Sequence, residues 1–292
     1  MKKYFISSLL LFVGISPACA APLKVAAALP DLGSIASYIG GDKVDVFAIG
    51  RSNANPHAVE VLPSYMIKVS RAAVYLKVGL ALDQWSDAII DGSRNSKLIV
   101  ADCSVGITPL QKPTGKVDSS MGDVHPDGNP HYWLDPSNGL IAAGNIMAAL
   151  KKSDPANAES YEKNYARFKE ELGKRQAGWK AAMARISGQK VISYHSSWIY
   201  FTTAFGLSIV GNVEPLPGIP PTAKHLAELV DRIKTDHISI LLQESYFPDD
   251  APQFLTRQTG IKVFKLSPSC NSVKADSYMA HFDEMVSRLA GR

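Results

Sequence analysis

The 292-residue chain has room for two ordinary domains or one large one, and its 46% hydrophobic and 20% charged content is typical of a folded globular protein. This composition excludes intrinsic disorder, collagen and a coiled-coil rod. The 31 basic and 27 acidic residues give a formal net charge of +4 at pH 7. The basic residues form no block or arm, so we expect no nucleic-acid partner.

The first twenty residues have the pattern of an export signal. Lys2 and Lys3 precede an apolar run from Tyr4 to Ile15, and small residues lead up to Ala20. A membrane anchor is the alternative, but the apolar run is shorter than the ~20 residues that a membrane span needs. Lipidation of Cys19 is disfavoured because no aliphatic residue stands three positions before it. We therefore predict a signal peptide at residues 1–20, cleavage after Ala20 and a periplasmic protein.

From residue 23 onward, short apolar runs of β type alternate with amphipathic segments. The strand candidates are Leu23–Ala28, Val44–Ile49, Ala73–Val78, Lys97–Ala101, Lys190–Tyr194, Leu207–Val213, His237–Gln243 and Ile261–Leu266. Strands separated by helical patterns indicate parallel sheets flanked by helices. We predict an α/β fold of two domains, at residues 21–154 and 188–292, each with a parallel sheet of about four strands.

The segment between the two predicted domains indicates one long helix. Pro155 is tolerated in a first helical turn, and large apolar residues from Tyr161 to Ile186 recur at spacings of three, four or seven. A helix of ~30 residues extends ~45 Å, which is longer than one small domain needs. We predict a rigid linking helix at residues 155–187. A coiled-coil dimer seam is the alternative, and we expect a monomer.

Four side chains with metal-binding chemistry follow predicted strands. They are His57, His131, His195 and Glu244. Parallel sheets bind ligands at the carboxyl ends of their strands, so these four groups can converge in a cleft between the domains. Three imidazoles and one carboxylate suit tetrahedral Zn²⁺, and imidazoles disfavour Mg²⁺ and Ca²⁺. A single histidine is more often a surface residue, so the prediction of a Zn²⁺ site depends on the position after a strand that all four side chains share.

Several longer motifs make the comparison with known families more specific. Pro-His-x-x-Glu spans Pro56–Glu60, Asn-Pro-His-x-Trp-Leu-Asp-Pro spans Asn129–Pro136, and a Tyr-His stretch with aromatics spans Tyr194–Phe201. Glu214-Pro215 and a helix start at Pro221–Leu226 agree as well. The chain resembles the periplasmic zinc and manganese receptors of ABC transporters, the ZnuA/TroA-like cluster A-I group. The resemblance implies metal in an interdomain cleft and a membrane permease as partner, and a periplasmic zinc donor protein is a further candidate partner.

The resemblance also assigns the ligands. The first three positions of the family match His57, His131 and His195, and a histidine at the third position is typical of zinc-type members. The fourth position departs from the family, because Ser267 stands where members often carry Asp in a Leu-Asp-Pro element. We choose Glu244 as the fourth ligand, with water second and Cys270 third.

We also predict roles for two carboxylates near the motifs and for two cysteines. Glu60 and Asp135 are candidates for orienting a ligand imidazole, and Asp135 has the alternative role of capping the next helix. Cys103 and Cys270 remain after signal cleavage, in a compartment where disulfides persist. We predict a disulfide between them, with two free buried thiols as the alternative.

The polar loop at residues 114–129 lies where zinc receptors often carry a His-rich insertion. It contains Asp118, Asp123, His125 and Asp127. We hypothesise that Asp123, His125 and Asp127 form a weak capture site for metal, and a solvated loop is the alternative. We expect the remaining histidines at the surface or on a helix face: His225, His237 and His281.

The function indicated by these features is binding rather than catalysis. The chain has no His-Glu-x-x-His helix, no Gly-x-Ser-x-Gly elbow and no Gly-rich phosphate loop. A secreted zinc hydrolase, with Glu60 or Glu244 as base, is the alternative from another class. We therefore predict an extracytoplasmic receptor that captures Zn²⁺, as transported ligand, for import by an ABC transporter. A receptor for Mn²⁺ or another divalent metal is the alternative within the family.

Overall fold

The computed structural model describes residues 21–291, so the predicted signal peptide at residues 1–20 lies outside the described residues. Eight strands form two parallel four-stranded sheets. The strands are β1 (Leu23–Ala27), β2 (Val44–Ala48), β3 (Val74–Lys77), β4 (Ile99–Asp102), β5 (Lys190–Ser193), β6 (Ser208–Asn212), β7 (Ile240–Glu244) and β8 (Lys262–Leu266). All eight predicted strands are present, with ends shifted by at most three residues.

Helices flank both sheets, which confirms the predicted α/β class. They are α1 (Pro30–Gly40), α2 (Pro63–Val69), α3 (Trp85–Ser93), α4 (Pro136–Ser153), α5 (Ala158–Met183), α6 (Ile199–Ala204), α7 (Ala223–Thr235), α8 (Asp250–Thr259) and α9 (Ser277–Ala290). Among the helices of residues 21–291, none combines the length and the apolar character needed to cross a membrane.

The two sheets have the same strand order. The first sheet runs β2-β1-β3-β4 and the second β6-β5-β7-β8, so the strand order reverses between β1 and β3 in one sheet and between β5 and β7 in the other. Parallel sheets bind ligands outside the carboxyl ends of their strands at such points, because the connections there diverge and leave a crevice. The segments after β2, β5, β6 and β7 are therefore placed to build a site.

The predicted linking helix is present as α5. Its 26 residues are flanked by 3-10 turns at Pro155–Asn157 and Ala184–Ile186, so the helical segment is nearly continuous. Its apolar side is buried against α1, α4 and α9: the ring of Phe168 lies 5.2 Å from that of Tyr38, and Trp179 stacks on Phe282 at 5.0 Å. The helix thus packs against elements from both halves, which makes it a rigid connection.

The segment between β8 and α9 is fastened to the first half of the chain. The Ser34 hydroxyl donates to the carbonyl of Lys274 at 2.7 Å, and the Trp133 indole donates to the carbonyl of Pro268 at 2.7 Å. Helix α9 also packs on α1 as well as on α5. The C-terminal elements therefore contact the helices of both halves of the chain. The domain boundaries at residues 154 and 188 stay a prediction.

The predicted disulfide is absent, because Cys103 and Cys270 are both free and buried. Cys103 follows β4 at the outer edge of the first sheet, whereas Cys270 lies in the segment after β8 and its thiol donates to the carbonyl of Ser272 at 3.2 Å. Burial raises the pKa of both thiols. The structure therefore contains two free buried thiols, which was the alternative to the disulfide.

Candidate metal centre

Three histidines from different parts of the chain converge. His57 lies in the loop after β2, His131 precedes the 3-10 turn that leads into α4, and His195 follows β5. One ligand atom from each of the three lies within 4.8 Å of the others. His131 and His195 are buried and His57 is half-buried. The three histidines predicted as ligands are therefore brought together at the crevice between the sheets.

The ring orientation of His131 is set by Asn129. The Asn129 amide nitrogen donates to the carbonyl of Ser196 at 2.8 Å, so its side-chain oxygen must be the atom that faces His131. That oxygen lies 3.0 Å from Nδ1 of His131 and accepts the His131 backbone N–H as well. Since an amide oxygen only accepts, Nδ1 carries the hydrogen and Nε2 keeps its lone pair.

The ring of His195 is oriented by Glu214 in the same way. Nδ1 of His195 lies 2.7 Å from Oε2 of Glu214, and both side chains are buried. The carboxylate accepts the Nδ1 hydrogen and leaves Nε2 with a lone pair, and Nε2 has no hydrogen-bond partner among the described residues. A carboxylate behind a ligand imidazole is a common arrangement in metal sites.

His57 completes the cluster and also contacts the loop. Its Nε2 lies 3.1 Å from Nε2 of His131, and its Nδ1 lies 3.2 Å from Nε2 of His125. The carbonyl of Pro56 accepts a hydrogen bond from the Trp85 indole at 2.9 Å, which fixes the backbone before His57. Zn–N bonds of about 2.0–2.1 Å separate the nitrogens of a tetrahedral site by about 3.3 Å. The spacing of the two Nε2 atoms is therefore close to that of two ligands on one ion.

The local electrostatics keep two of the rings neutral. Burial lowers the pKa of His57 and His131 well below the usual value, and the neighbouring histidines lower it further. Burial also disfavours the charged form of His195, but its hydrogen bond to Glu214 and the charges of Glu244 and Glu214 raise its pKa overall. Neutral imidazoles are the form that binds a metal ion, so His57 and His131 are ready to coordinate at neutral pH.

Glu244 ends β7 beside this cluster. It is fully buried, and neither of its carboxylate oxygens has a hydrogen-bond partner among the described residues. Burial raises its pKa to about 7, against the opposing charge of His195. A buried carboxylate without partners is costly unless it binds a proton or a cation. Glu244 is not a member of the group of three whose ligand atoms lie within 4.8 Å.

The segment after β8 supplies no obvious ligand. The hydroxyl of Ser267 lies 2.8 Å from the carbonyl of Ser52 and 2.6 Å from that of Ser269, so it binds backbone. Cys270 is not in the histidine group either, and burial keeps its thiol protonated, whereas a metal ligand must be a thiolate. These observations favour Glu244 over Cys270 as a fourth donor.

The two carboxylates expected to orient imidazoles lie elsewhere. Glu60 is exposed, and Asp135 caps α4 by accepting the N–H of Ser137 at 2.8 Å, which was the alternative role for that residue. The orienting groups are Glu214 and Asn129, which the sequence analysis missed. Both had a signal: Glu214 follows a strand as the ligands do, and Asn129 begins the motif that contains His131.

His125 of the predicted capture site contacts the cluster. His125 is half-buried and stacks on His57 with ring centroids 5.1 Å apart. Asp123 is half-buried and its backbone N–H donates to the carbonyl of Pro217 at 2.8 Å, whereas Asp127 is exposed. The loop therefore lies over the histidine cluster.

The three remaining histidines lie outside the cluster. His237 is exposed, and Nε2 of the half-buried His225 lies 2.9 Å from the carbonyl of Asn212. His281 lies on α9 but is buried, with its Nε2 3.0 Å from the carbonyl of Ser267. A helix face was one of the two expected positions, and His281 occupies it; the side chain is buried because α9 turns this face toward the segment after β8.

Known proteins are similar to this chain in sequence and in fold. Residues 25–291 match the family described as ZnuA, zinc-uptake complex component A, periplasmic. The iron-binding protein YfeA of Yersinia pestis is 27% identical over 81% of this chain and 74% of its own length. The manganese ABC transporter substrate-binding lipoprotein PsaA of Streptococcus pneumoniae is 26% identical over 92% of this chain and 88% of its own. A crystal structure of ZnuA superposes with a TM-score of 0.79 at 25% identity, covering 92% of this chain and 98% of that one.

The match covers nearly the whole described chain, including both sheets and the three histidines. Members of the family are solute-binding proteins and not enzymes, which confirms the prediction of a binding function and excludes the hydrolase. They work with a membrane permease and an ATPase, and several relatives are named as lipoproteins, which is consistent with export. The chain therefore belongs to the ZnuA family of metal-binding substrate-binding proteins of ABC transporters.

Proposed function

We propose that this protein captures Zn²⁺ in the periplasm and delivers it to the permease of an ABC transporter. The observation that carries this proposal is the convergence of His57, His131 and His195 within 4.8 Å. Two of these rings have their Nε2 lone pairs set by Asn129 and Glu214. These two rings can bind a divalent cation without changing the hydrogen bonds at their Nδ1 atoms.

The donor set favours zinc over manganese. Imidazole nitrogens suit Zn²⁺, whereas Mn²⁺ prefers carboxylates, carbonyls and water. YfeA and PsaA are named for iron and manganese, so the family as a whole accepts several ions. The histidine at the third ligand position is the feature of this chain that supports zinc. A receptor for Mn²⁺ is the alternative function.

Glu244 is the fourth ligand in this proposal. Its buried carboxylate oxygens lack hydrogen-bond partners within residues 21–291, and the carboxylate lies close enough to His195 to shift the pKa of that ring. A bound dication would satisfy the carboxylate oxygens. Water and Cys270 remain the alternatives, in that order.

We propose further that Asp123, His125 and Asp127 act as an outer capture site. The contact between His125 and Nδ1 of His57 supports the idea, because it places this loop at the cluster. Deleting the loop should slow zinc uptake, and unchanged uptake and transfer would exclude this role. A periplasmic donor protein would approach on the same side.

The proposed location rests on the export signal. Cleavage after Ala20 predicts a mature protein that begins at Ala21 and carries no lipid. Mass spectrometry of the protein purified from a periplasmic extract measures both properties. A mass increased by an acyl chain would instead place it with the lipoproteins among its relatives.

The decisive test is metal titration of the mature protein, residues 21–292. We expect one Zn²⁺ per chain, and a large loss of affinity when His57, His131 or His195 is changed to Ala. His237→Ala is the matched control, because His237 is exposed and lies outside the cluster. Competition with Mn²⁺ in the same titration separates the two metals. Tight binding that survives all three substitutions would overturn the site.

A further inference from the structure

Glu214 makes two hydrogen bonds through one atom. Its Oε2 accepts from Nδ1 of His195 at 2.7 Å and from the backbone N–H of Gly218 at 3.0 Å. The side chain is buried, so both bonds are shielded from water. The position of the His195 ring is therefore tied to the position of the turn at residues 215–218.

The same turn holds the loop that carries His125. The backbone N–H of Asp123 donates to the carbonyl of Pro217 at 2.8 Å. Two residues further along, His125 reaches Nδ1 of His57. A continuous chain of contacts thus runs from His195 through Glu214 and the turn to the loop, and from the loop back to a second histidine of the cluster.

Two glycines make the contact between loop and turn close. Both have positive φ, +68° at Gly122 and +78° at Gly218. A Cβ at Gly122 would lie 2.1 Å from the carbonyl oxygen of Pro217, and a Cβ at Gly218 would lie 2.7 Å from a carboxylate oxygen of Asp123. At Gly122 the obstacle is backbone, so no other residue fits there unless the loop and the turn separate, whereas at Gly218 the Asp123 carboxylate can turn aside.

We propose that Glu214 is a positioning residue that holds His195 in the metal-binding tautomer and couples this ring, through the turn at residues 215–218, to the loop that carries His125. The coupling to metal rests on the proposed function. Removing a group that orients a ligand histidine typically lowers metal affinity roughly 10- to 100-fold. Because coupling is reciprocal, loosening the loop from the turn must also weaken metal binding.

The tautomer of His195 is measurable without metal. ¹⁵N NMR of the metal-free protein with labelled histidine, at pH 8, should show Nδ1 protonated in wild type. Glu214→Gln should preserve this state, because the amide oxygen still accepts the hydrogen. Glu214→Ala should give a mixture of tautomers. A single Nδ1-protonated form in Glu214→Ala would overturn the positioning role.

The coupling is measured with zinc and with hydrogen exchange at the amide of Asp123. Zn²⁺ should slow this exchange in wild type and have little effect on it in Glu214→Ala. The zinc affinity of Glu214→Ala should fall roughly 10- to 100-fold, whereas Glu214→Gln should retain most of the wild-type affinity. Gly122→Ala, whose Cβ forces the loop and the turn apart, should also weaken zinc binding. The matched control is Gly188→Ala, which has φ of +82° but no atom near its added Cβ.

Equal zinc affinities in Gly122→Ala and Gly188→Ala, or unchanged affinity in Glu214→Ala, would refute the coupling. Failure of the proposed function gives a different result, since wild type would then bind no zinc. In that case the tautomer comparison still decides whether Glu214 positions His195.

Discussion

Changing Asp31 to Asn should make the metal-free protein more stable at pH 8 than wild type, and by a larger margin there than at pH 5. Asp31 lies in the first turn of α1 and is fully buried. Its carboxylate accepts the backbone N–H of Cys270 at 3.1 Å and the hydroxyl of Ser269, both from the segment after β8. Asparagine can keep both contacts, because its oxygen accepts from Cys270 while its amide donates to the Ser269 oxygen.

The magnitude follows from the pKa of Asp31. Burial raises this pKa from 3.8 to about 6, although the two hydrogen bonds oppose the shift. The folded protein therefore binds the proton more tightly than the unfolded chain, and stability is lost as the pH rises from the unfolded to the folded pKa. The loss contributed by Asp31 is about 1.6 kcal/mol at pH 5 and about 3 kcal/mol at pH 8. The Asn variant should escape it, so its advantage should grow by ~1.5 kcal/mol over this range.

Urea unfolding in EDTA, followed by tryptophan fluorescence at both pH values, measures the difference. With a slope of about 3 kcal/mol per molar urea, the growing advantage shifts the midpoint by about 0.5 M. Asp91→Asn is the control, because Asp91 is an exposed carboxylate on α3. The reasoning fails if Asp31→Asn changes the free energy of unfolding by the same amount at pH 5 and pH 8.

Three further predictions concern the metal centre and the thiols. Glu244→Gln should lower zinc affinity at least roughly tenfold, because a charged ligand becomes a neutral one; unchanged affinity in a chelator competition would leave water as the fourth ligand. Native mature protein should react slowly with a thiol reagent, and urea-unfolded protein should show two thiols, Cys103 and Cys270, without prior reduction; finding none would restore the disulfide. His125→Ala should weaken zinc binding a few-fold through the lost contact with His57, and a gain in affinity would contradict that contact.

The fold was largely predictable because its signals are local. Strands buried by helices on both faces read as continuous apolar runs, such as Ile240, Leu241 and Leu242 in β7. The 3.6-residue period of α5 is equally visible, because one side of that helix packs along both halves. The convergence of His57, His131 and His195 was predictable as well, since parallel topology puts the ends of the strands at one crevice.

The contacts behind the ligands were not predictable. Glu214 lies 19 residues after His195, and nothing in that separation indicates that the two side chains meet at 2.7 Å. From their positions in the motifs, Glu60 and Asp135 were equally plausible as groups that orient an imidazole, yet Glu60 is exposed and Asp135 caps a helix. Likewise, two cysteines in one chain predict a bond only if the fold brings their sulfurs together, and here it buries them separately.

The sequence by itself determined the two parallel sheets, the long helix and the three imidazoles, because strand patterns and residue chemistry are properties of short segments. The tertiary structure alone decided which ring nitrogens of His131 and His195 face the cluster, where the loop with His125 lies, and that Glu244 is buried with no hydrogen-bond partner in the part of the chain that the structure describes. These features depend on distances of about 3 Å between side chains far apart in the chain, because a hydrogen bond weakens within a few tenths of an ångström.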